Sequence, residues 1–240
     1  LRNVLATGDR LSTGQVITGT APVAEVLRTC VDHPSAASLS GDPMSLPGGA
    51  GRTADPAHVR RGEAVALGFK NLMFSEGFDD SSSAICRLEG GVATVTCACA
   101  EVGQGFVTLA QQITREVLGV EEVVLAPAAT ATVGSAGSTS ASRQSWMSGG
   151  AVQAACEEVR VRLLTRVADD RGVDPDELVL VEGRVVSLSG DFEADLASVT
   201  AEAIEAEVEF RHAPTSPLDE NGQGDAHVSF AFSAHRAIVD

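Results

Sequence analysis

Residues 84–105 read Ala84-Ile85-Cys86-Arg87-Leu88-Glu89-Gly90-Gly91-Val92-Ala93-Thr94-Val95-Thr96-Cys97-Ala98-Cys99-Ala100-Glu101-Val102-Gly103-Gln104-Gly105 and run directly into Phe106. Two β-prone stretches, Ala84 to Leu88 and Val92 to Cys99, flank Glu89-Gly90-Gly91, whose glycines suit a tight hairpin turn. From Phe106 to Leu118 the period changes, because Val107, Ala110, Ile113 and Val117 fall on one helical stripe and Gly119 stands as the stop. The order strand, turn, strand, glycine loop, helix sets the class of the fold.

Downstream, Val123 to Ala126 reads as a short strand. A longer helix is expected to begin near Ser142 to Ser145 and run to about Val167, with Met147, Ala151, Ala155, Val159 and Leu163 stepping along one face. Gly149, Gly150, Ala151, Ala154 and Ala155 crowd its first half, which suits either a flat ligand or plain helix-on-sheet packing. Leu178 to Val181 and Val185 to Leu188 form a second hairpin around Glu182-Gly183, and Leu196 to Ala203 a short helix. Val208 to Arg211 and His227 to Ile238 are the last strands, separated by a loop from Ala213 to Asp225.

Upstream, a helix is expected from Pro22 to about Val31 with Thr20 as its cap, then a surface loop from residue 32 to 55, then a β-prone run from Val59 to Phe74. Hairpins alternating with helices imply an α+β two-layer sandwich, helices packed on a mixed or antiparallel sheet. The expected division is residues 1–75 (helix, loop and incoming strand) and 76–240 (main lobe).

Composition narrows the function. With 33 acidic against 17 basic residues the formal net charge is −16, which repels phosphate backbones and anionic lipid surfaces, so neither nucleic acid nor membrane is expected as a partner. No apolar run approaches the roughly 20 residues of a membrane span. The five cysteines show no C-x-x-C pair, and the expectation is a cytoplasmic protein with free thiols and no metal cluster of its own. The chain opens at Leu1 and not at Met, which suggests an excised segment. No Ser-His-Asp constellation and no catalytic residue is assigned.

Two loops could carry chemistry. Glu101-Val102-Gly103-Gln104-Gly105 lies between a strand and a helix N-terminus, where unpaired N–H groups and the positive dipole end receive anions; a tight turn without a ligand explains the same residues. Gly134 to Gln144 is rich in small and polar side chains, which suits a phosphate-bearing heterocycle, and a flexible linker has the same composition. Within it, Arg143 is expected to pair with a phosphate. Neither Walker nor dinucleotide patterns are present.

The ordered blocks Glu101-Val102-Gly103-Gln104-Gly105 with Thr108, Gln111-Gln112-Ile113 and Leu118-Gly119-Val120, then Gly137, Thr139, Ser142-Arg143 and Gly150-Ala151, then Gly222-Gln223-Gly224 with His227, resemble the large subunits of molybdenum hydroxylases. Within that family, which includes xanthine dehydrogenases and aldehyde oxidases, Thr13-Gly14-Gln15 and Pro217-Leu218-Asp219 look most like the bacterial xanthine dehydrogenase molybdopterin-binding subunit. The resemblance implies a molybdopterin cofactor with molybdenum, in bacteria often the cytosine dinucleotide form. Its polar groups would be held by Gly103, Gln104 and Gly105 and by Ser140, Ala141, Ser142, Arg143 and Gln144. It further implies oxidation of a heterocycle or aldehyde with water as oxygen source, with electrons passing to iron–sulfur and FAD-binding subunits. The family's glutamate base has no counterpart here, so the chain is expected to be an inactive fragment by itself, with the presence of cofactor in it left open; the alternative is a non-catalytic assembly domain.

Overall fold

The computed structural model describes residues 2–34, 62–73, 76–129 and 131–239. From residue 35 onward the expected surface loop lies outside the described residues. In chain order the elements are α1 (Val23–Asp32), β1 (Gly62–Asn71), β2 (Ser81–Glu89), β3 (Val92–Cys97), α2 (Phe106–Leu118), β4 (Val123–Leu125), α3 (Met147–Arg171), a 3-10 turn (Pro175–Glu177), β5 (Leu178–Val181), β6 (Arg184–Ser187), β7 (Glu193–Asp195), α4 (Leu196–Val199), β8 (Ile204–Arg211) and β9 (Phe230–Val239).

The chain forms two compact units: residues 1–71, 218–225 and 229–240 in one, residues 72–217 and 226–228 in the other. In the first unit the chain returns on itself: β9 pairs antiparallel with β1 from Gly62↔Val239 to Asn71↔Phe230. In this first unit α1 starts after Pro22 with no side-chain cap, so Thr20 does not serve as one. Arg236 of β9 donates to the carbonyls of Val31 (3.0 Å) and His33 (2.8 Å) and closes the helix at its other end, where carbonyls lack intrahelical partners.

The second unit is built on a four-stranded sheet in the order β4-β3-β2-β8. The hairpin β2–β3 closes through Gly90 and Gly91, whose φ values of 57° and 81° only glycine adopts at little cost. Both turn amides are spoken for: Gly90 N–H reaches the Thr200 carbonyl at 2.8 Å and Gly91 N–H the Thr200 hydroxyl at 2.9 Å. From β3 the chain crosses through α2 to β4, which runs parallel to β3, while β8 adds antiparallel to the other edge of β2. The sheet is thus mixed, and the α+β sandwich reading holds.

The core lies where α2 and α3 cover one face of this sheet. Ala84, Cys86 and Leu88 of β2 and Val95 of β3 meet Ala110 and Leu118 of α2 and Ala151, Ala155, Val159 and Leu163 of α3, all fully buried. Full burial stabilises each of the larger side chains by about 1.5–3 kcal/mol relative to exposure. The buried stripe of α2 is Phe106, Ala110, Thr114 and Leu118, so Val107, expected on the inner face, is exposed. α3 begins later and ends later than its periodicity suggested, stopping at Gly172 with φ 68°. The small residues at its start serve packing: a Cβ on Gly150 would sit 2.9 Å from the Phe210 ring of β8. β5, β6 and β7 form a separate antiparallel sheet, the third strand taking residues just before the expected helix at Leu196 to Ala203, which is a single turn.

Candidate functional site

Both glycine-bearing loops belong to the second unit, and they meet. The first leaves β3 and opens α2; the second leads into α3, and the Thr139 hydroxyl donates to the Ala100 carbonyl at 3.4 Å, the same oxygen that accepts Gln104 Nε2 at 2.9 Å. Gly103, Gln104 and Gly105 are thereby brought beside the turn that carries Ser140 to Gln144.

The first loop is satisfied largely by itself. Glu101 accepts the backbone N–H groups of Gly103 (2.8 Å), Gly105 (3.1 Å) and Val107 (3.0 Å), so the start of α2 already has a negative partner. Chiefly the Val107 amide, then those of Gly105 and Gly103, holds the Glu101 carboxyl below the usual carboxylate range. Gln104 folds back as well, its Oε1 accepting Val102 N–H at 2.7 Å. Gly103 and Gly105, at φ 95° and 85°, border open space, since a Cβ on either would meet nothing within 4 Å.

The second loop is organised the other way round. Arg143 is fully buried and directs all five guanidinium N–H groups at protein oxygens. Nε and Nη2 grip the two Asp80 carboxylate oxygens at 2.7 Å each, Nη2 also reaches the Ser81 carbonyl at 3.1 Å, and Nη1 serves the carbonyls of Ala136 and Ser138. In this arrangement every guanidinium N–H meets a protein oxygen, so the group shapes the loop, and the phosphate pairing expected of Arg143 has no spare donor. Gln144 is buried too, giving Nε2 to the Ser138 carbonyl (3.0 Å) and the Thr139 hydroxyl (3.1 Å) and accepting from Ser148, which also bonds Ser82 at 3.0 Å.

These inward carbonyls decide where the amides point. In a trans peptide the C=O and the following N–H face opposite ways, and the described residues contain no cis bond. The Ser138 carbonyl is held by Arg143 and Gln144, that of Ser140 by Arg143 N–H (3.2 Å) and that of Ala141 by Met73 N–H (2.8 Å). The N–H groups of Thr139, Ala141 and Ser142 therefore point opposite to these held carbonyls, and among the described residues none of them has an acceptor. Ala141 and Ser142 both sit at φ 56°, a conformation uncommon outside glycine and stored most often at functional positions. Unpaired backbone amides gathered in one turn are the kind of donor set that can seat an anion.

Sequence reading singled out the loops but missed the residues that shape them. Glu101 was read as part of a ligand loop and is the helix's own counter-charge; Asp80, the partner of Arg143, carried no signal beyond an acidic residue before a strand. The third block, Gly222-Gln223-Gly224, lies in the first unit and performs a joining task. Gln223 Nε2 donates to the Ser12 carbonyl (3.0 Å) and Gly224 N–H to that of Thr13 (2.9 Å), against a turn whose Asp219 carboxylate accepts Asn221 and Gln223 N–H. Among the described residues no cluster of three or more His, Cys, Asp or Glu is placed to hold a metal ion, and no helix is long and apolar enough to cross a membrane.

Residues 48–240 match the pattern of the molybdopterin cofactor-binding domain. The chain belongs to that family. No curated protein matches it. Among solved structures its fold is similar to the aldehyde oxidoreductase of Desulfovibrio gigas (TM-score 0.60, 19% identity, 99% of this chain and 23% of that one). It is also similar to the CO dehydrogenase of Oligotropha carboxidovorans (0.57, 15%, 74% and 23%) and to quinoline 2-oxidoreductase of Pseudomonas putida 86 (0.54, 22%, 74% and 25%). The chain thus spans about a quarter of the length of these proteins. The resemblance seen in the sequence holds as far as a molybdopterin-binding domain.

Proposed function

We propose that this chain is the cofactor-binding part of a molybdenum hydroxylase large subunit, of the xanthine dehydrogenase and aldehyde oxidase type. The observation that carries the reading is the set of unpaired amides at Thr139, Ala141 and Ser142, in the turn that lies beside Gly103-Gln104-Gly105. Such a donor set fits the phosphate of a molybdopterin, and extends to the pyrophosphate of the cytosine dinucleotide form, because backbone N–H groups bind anions without bringing a mobile cationic side chain. Ser140, Ala141 and Ser142 would hold the anion through main chain and hydroxyl groups. Gly103 and Gly105 would let the ligand approach the backbone, with Gln104 beside it, while Arg143 and Gln144 would act from beneath the loop.

When bound, this cofactor supplies two-electron oxidation with water as the source of oxygen. The substrate class that fits is a heterocycle or an aldehyde, in keeping with relatives named for quinoline and aldehyde oxidation, and xanthine is the finer reading favoured by the sequence resemblance. Iron–sulfur and FAD-binding subunits would receive the electrons, in the cytoplasm. The present residues bind and orient; proton abstraction would belong to a glutamate outside them.

The test is cofactor content of the full-length subunit in its complex. Ser142→Asp places a carboxylate among the unpaired amides in a conformation aspartate tolerates, and is expected to lower molybdenum and pterin per folded protein at least about ten-fold, one order of magnitude being about 1.4 kcal/mol. Wild-type content in Ser142→Asp together with Gln104→Ala would overturn the assignment.

A further inference from the structure

We infer that Asp80 is a positioning residue for the cofactor loop, acting through Arg143; this rests on the reading of that loop given above. Asp80 stands immediately before β2, the strand flanked on both sides by β3 and β8, and its side chain is nearly enclosed while that of Arg143 is wholly so. The pair is bidentate, the geometry that fixes a guanidinium in orientation as well as in place. With its plane fixed by Asp80, Arg143 presents Nη1 to the carbonyls of Ala136 and Ser138. Gly137, at φ 65°, lies so close over the guanidinium that a Cβ there would come within 2.6 Å of Nη2. The chain of cause therefore runs from a central strand through one carboxylate and one guanidinium to the Ser138 carbonyl, and so to the direction of the Thr139 N–H.

A buried arginine deprived of its carboxylate keeps an uncompensated charge and looks for other partners or for water. The loop carbonyls it served are then released, and the unpaired amides lose the arrangement those carbonyls set. Asp80 touches no ligand in this scheme; its effect is on how tightly the loop holds an anion.

The experiment compares Asp80→Asn, Asp80→Glu and Val159→Ala in the full-length complex. Val159→Ala removes buried volume from α3 without touching the loop and so reports plain destabilisation. Molybdenum and pterin per folded protein, cofactor loss on dialysis, melting temperature and turnover per bound molybdenum are read for each. The expected result is at least about a ten-fold fall in cofactor content for Asp80→Asn, the usual scale for losing a supporting partner, with partial recovery in Asp80→Glu, unchanged turnover per bound molybdenum, and full content in Val159→Ala. Should Asp80→Asn not fold, Arg143→Lys carries the same comparison, since it keeps the charge and loses the fork. Full cofactor content in the folded variants overturns the inference. If content also stays full in Ser142→Asp, the loop itself is misassigned; if it falls there but not at Asp80, only the positioning role fails.

Discussion

The Glu101 carboxylate accepts the Val107 backbone N–H at 3.0 Å and so closes the first turn of α2 from six residues upstream. Because the folded protein holds this carboxyl below its ordinary value, the stability it contributes is complete above the unfolded value of about 4.3 and is lost as pH falls through the depressed folded one. Wild type should melt higher than Glu101→Gln at pH 7, and the gap should narrow as pH is lowered below about 4. Thermal melts of both proteins across that range check it; a constant gap contradicts the capping role.

Gly137 and Gly90 make a matched pair for backbone strain. Both have positive φ, but a Cβ at Gly90 meets nothing within 4 Å whereas one at Gly137 meets the buried Arg143 guanidinium. Gly90→Ala should cost about 1–2 kcal/mol of left-handed strain. Gly137→Ala should cost roughly 3 kcal/mol or more, since overpacking adds to the same strain. Denaturant unfolding of the two variants measures the difference.

For the small residues at the start of α3, the decisive variant is Gly150→Ala. Helix propensity alone would favour it by about 1 kcal/mol, yet the Phe210 ring stands 2.9 Å from the new Cβ, and overpacking costs about 1–3 kcal/mol. A net loss of stability is expected, recovered by adding Phe210→Leu, with cofactor content unaffected. If Phe210→Leu fails to rescue, the stripe serves something other than packing against β8.

Thiol chemistry offers a test confined to the edge of the site. Cys86, Cys97 and Cys156 are buried, and Cys99 is half-buried with its thiol pushed up to about 11 by burial. Only the thiolate alkylates, and roughly a thousandth of such a thiol is ionised at pH 8. In the Cys30→Ser protein, native labelling should be very slow at pH 8 and rise about ten-fold for each unit toward pH 10. Fast labelling of Cys99 at pH 8 would show an environment unlike the one described.

How far the sequence could be read depended on the range of each interaction. The β2–β3 hairpin and the span of α2 were legible because local residues decide them: Gly90-Gly91 permits the turn and Gly119 ends the helix. The pairing of β2 with β8 and of β1 with β9 was not, since strands so far apart in sequence leave no mark on either partner. In the site the same limit applies. Glycines at 103 and 105 announced a special backbone, but that Arg143 faces Asp80, 63 residues away, and not solvent is a fact of packing. A polar residue's composition signal is the same whether it serves a ligand or the fold.

Residues 72–217 lie, along the chain, between β1 and its partner β9. Synthesis therefore delivers every strand of the four-stranded sheet before the ribbon's second half exists. During that interval β1, with Leu67 and Phe69 among its side chains, waits with the edge that β9 will take open to other extended segments. Until β9 emerges the newborn chain is open to mispairing at β1, and a chaperone that shields this strand would guard it through that wait.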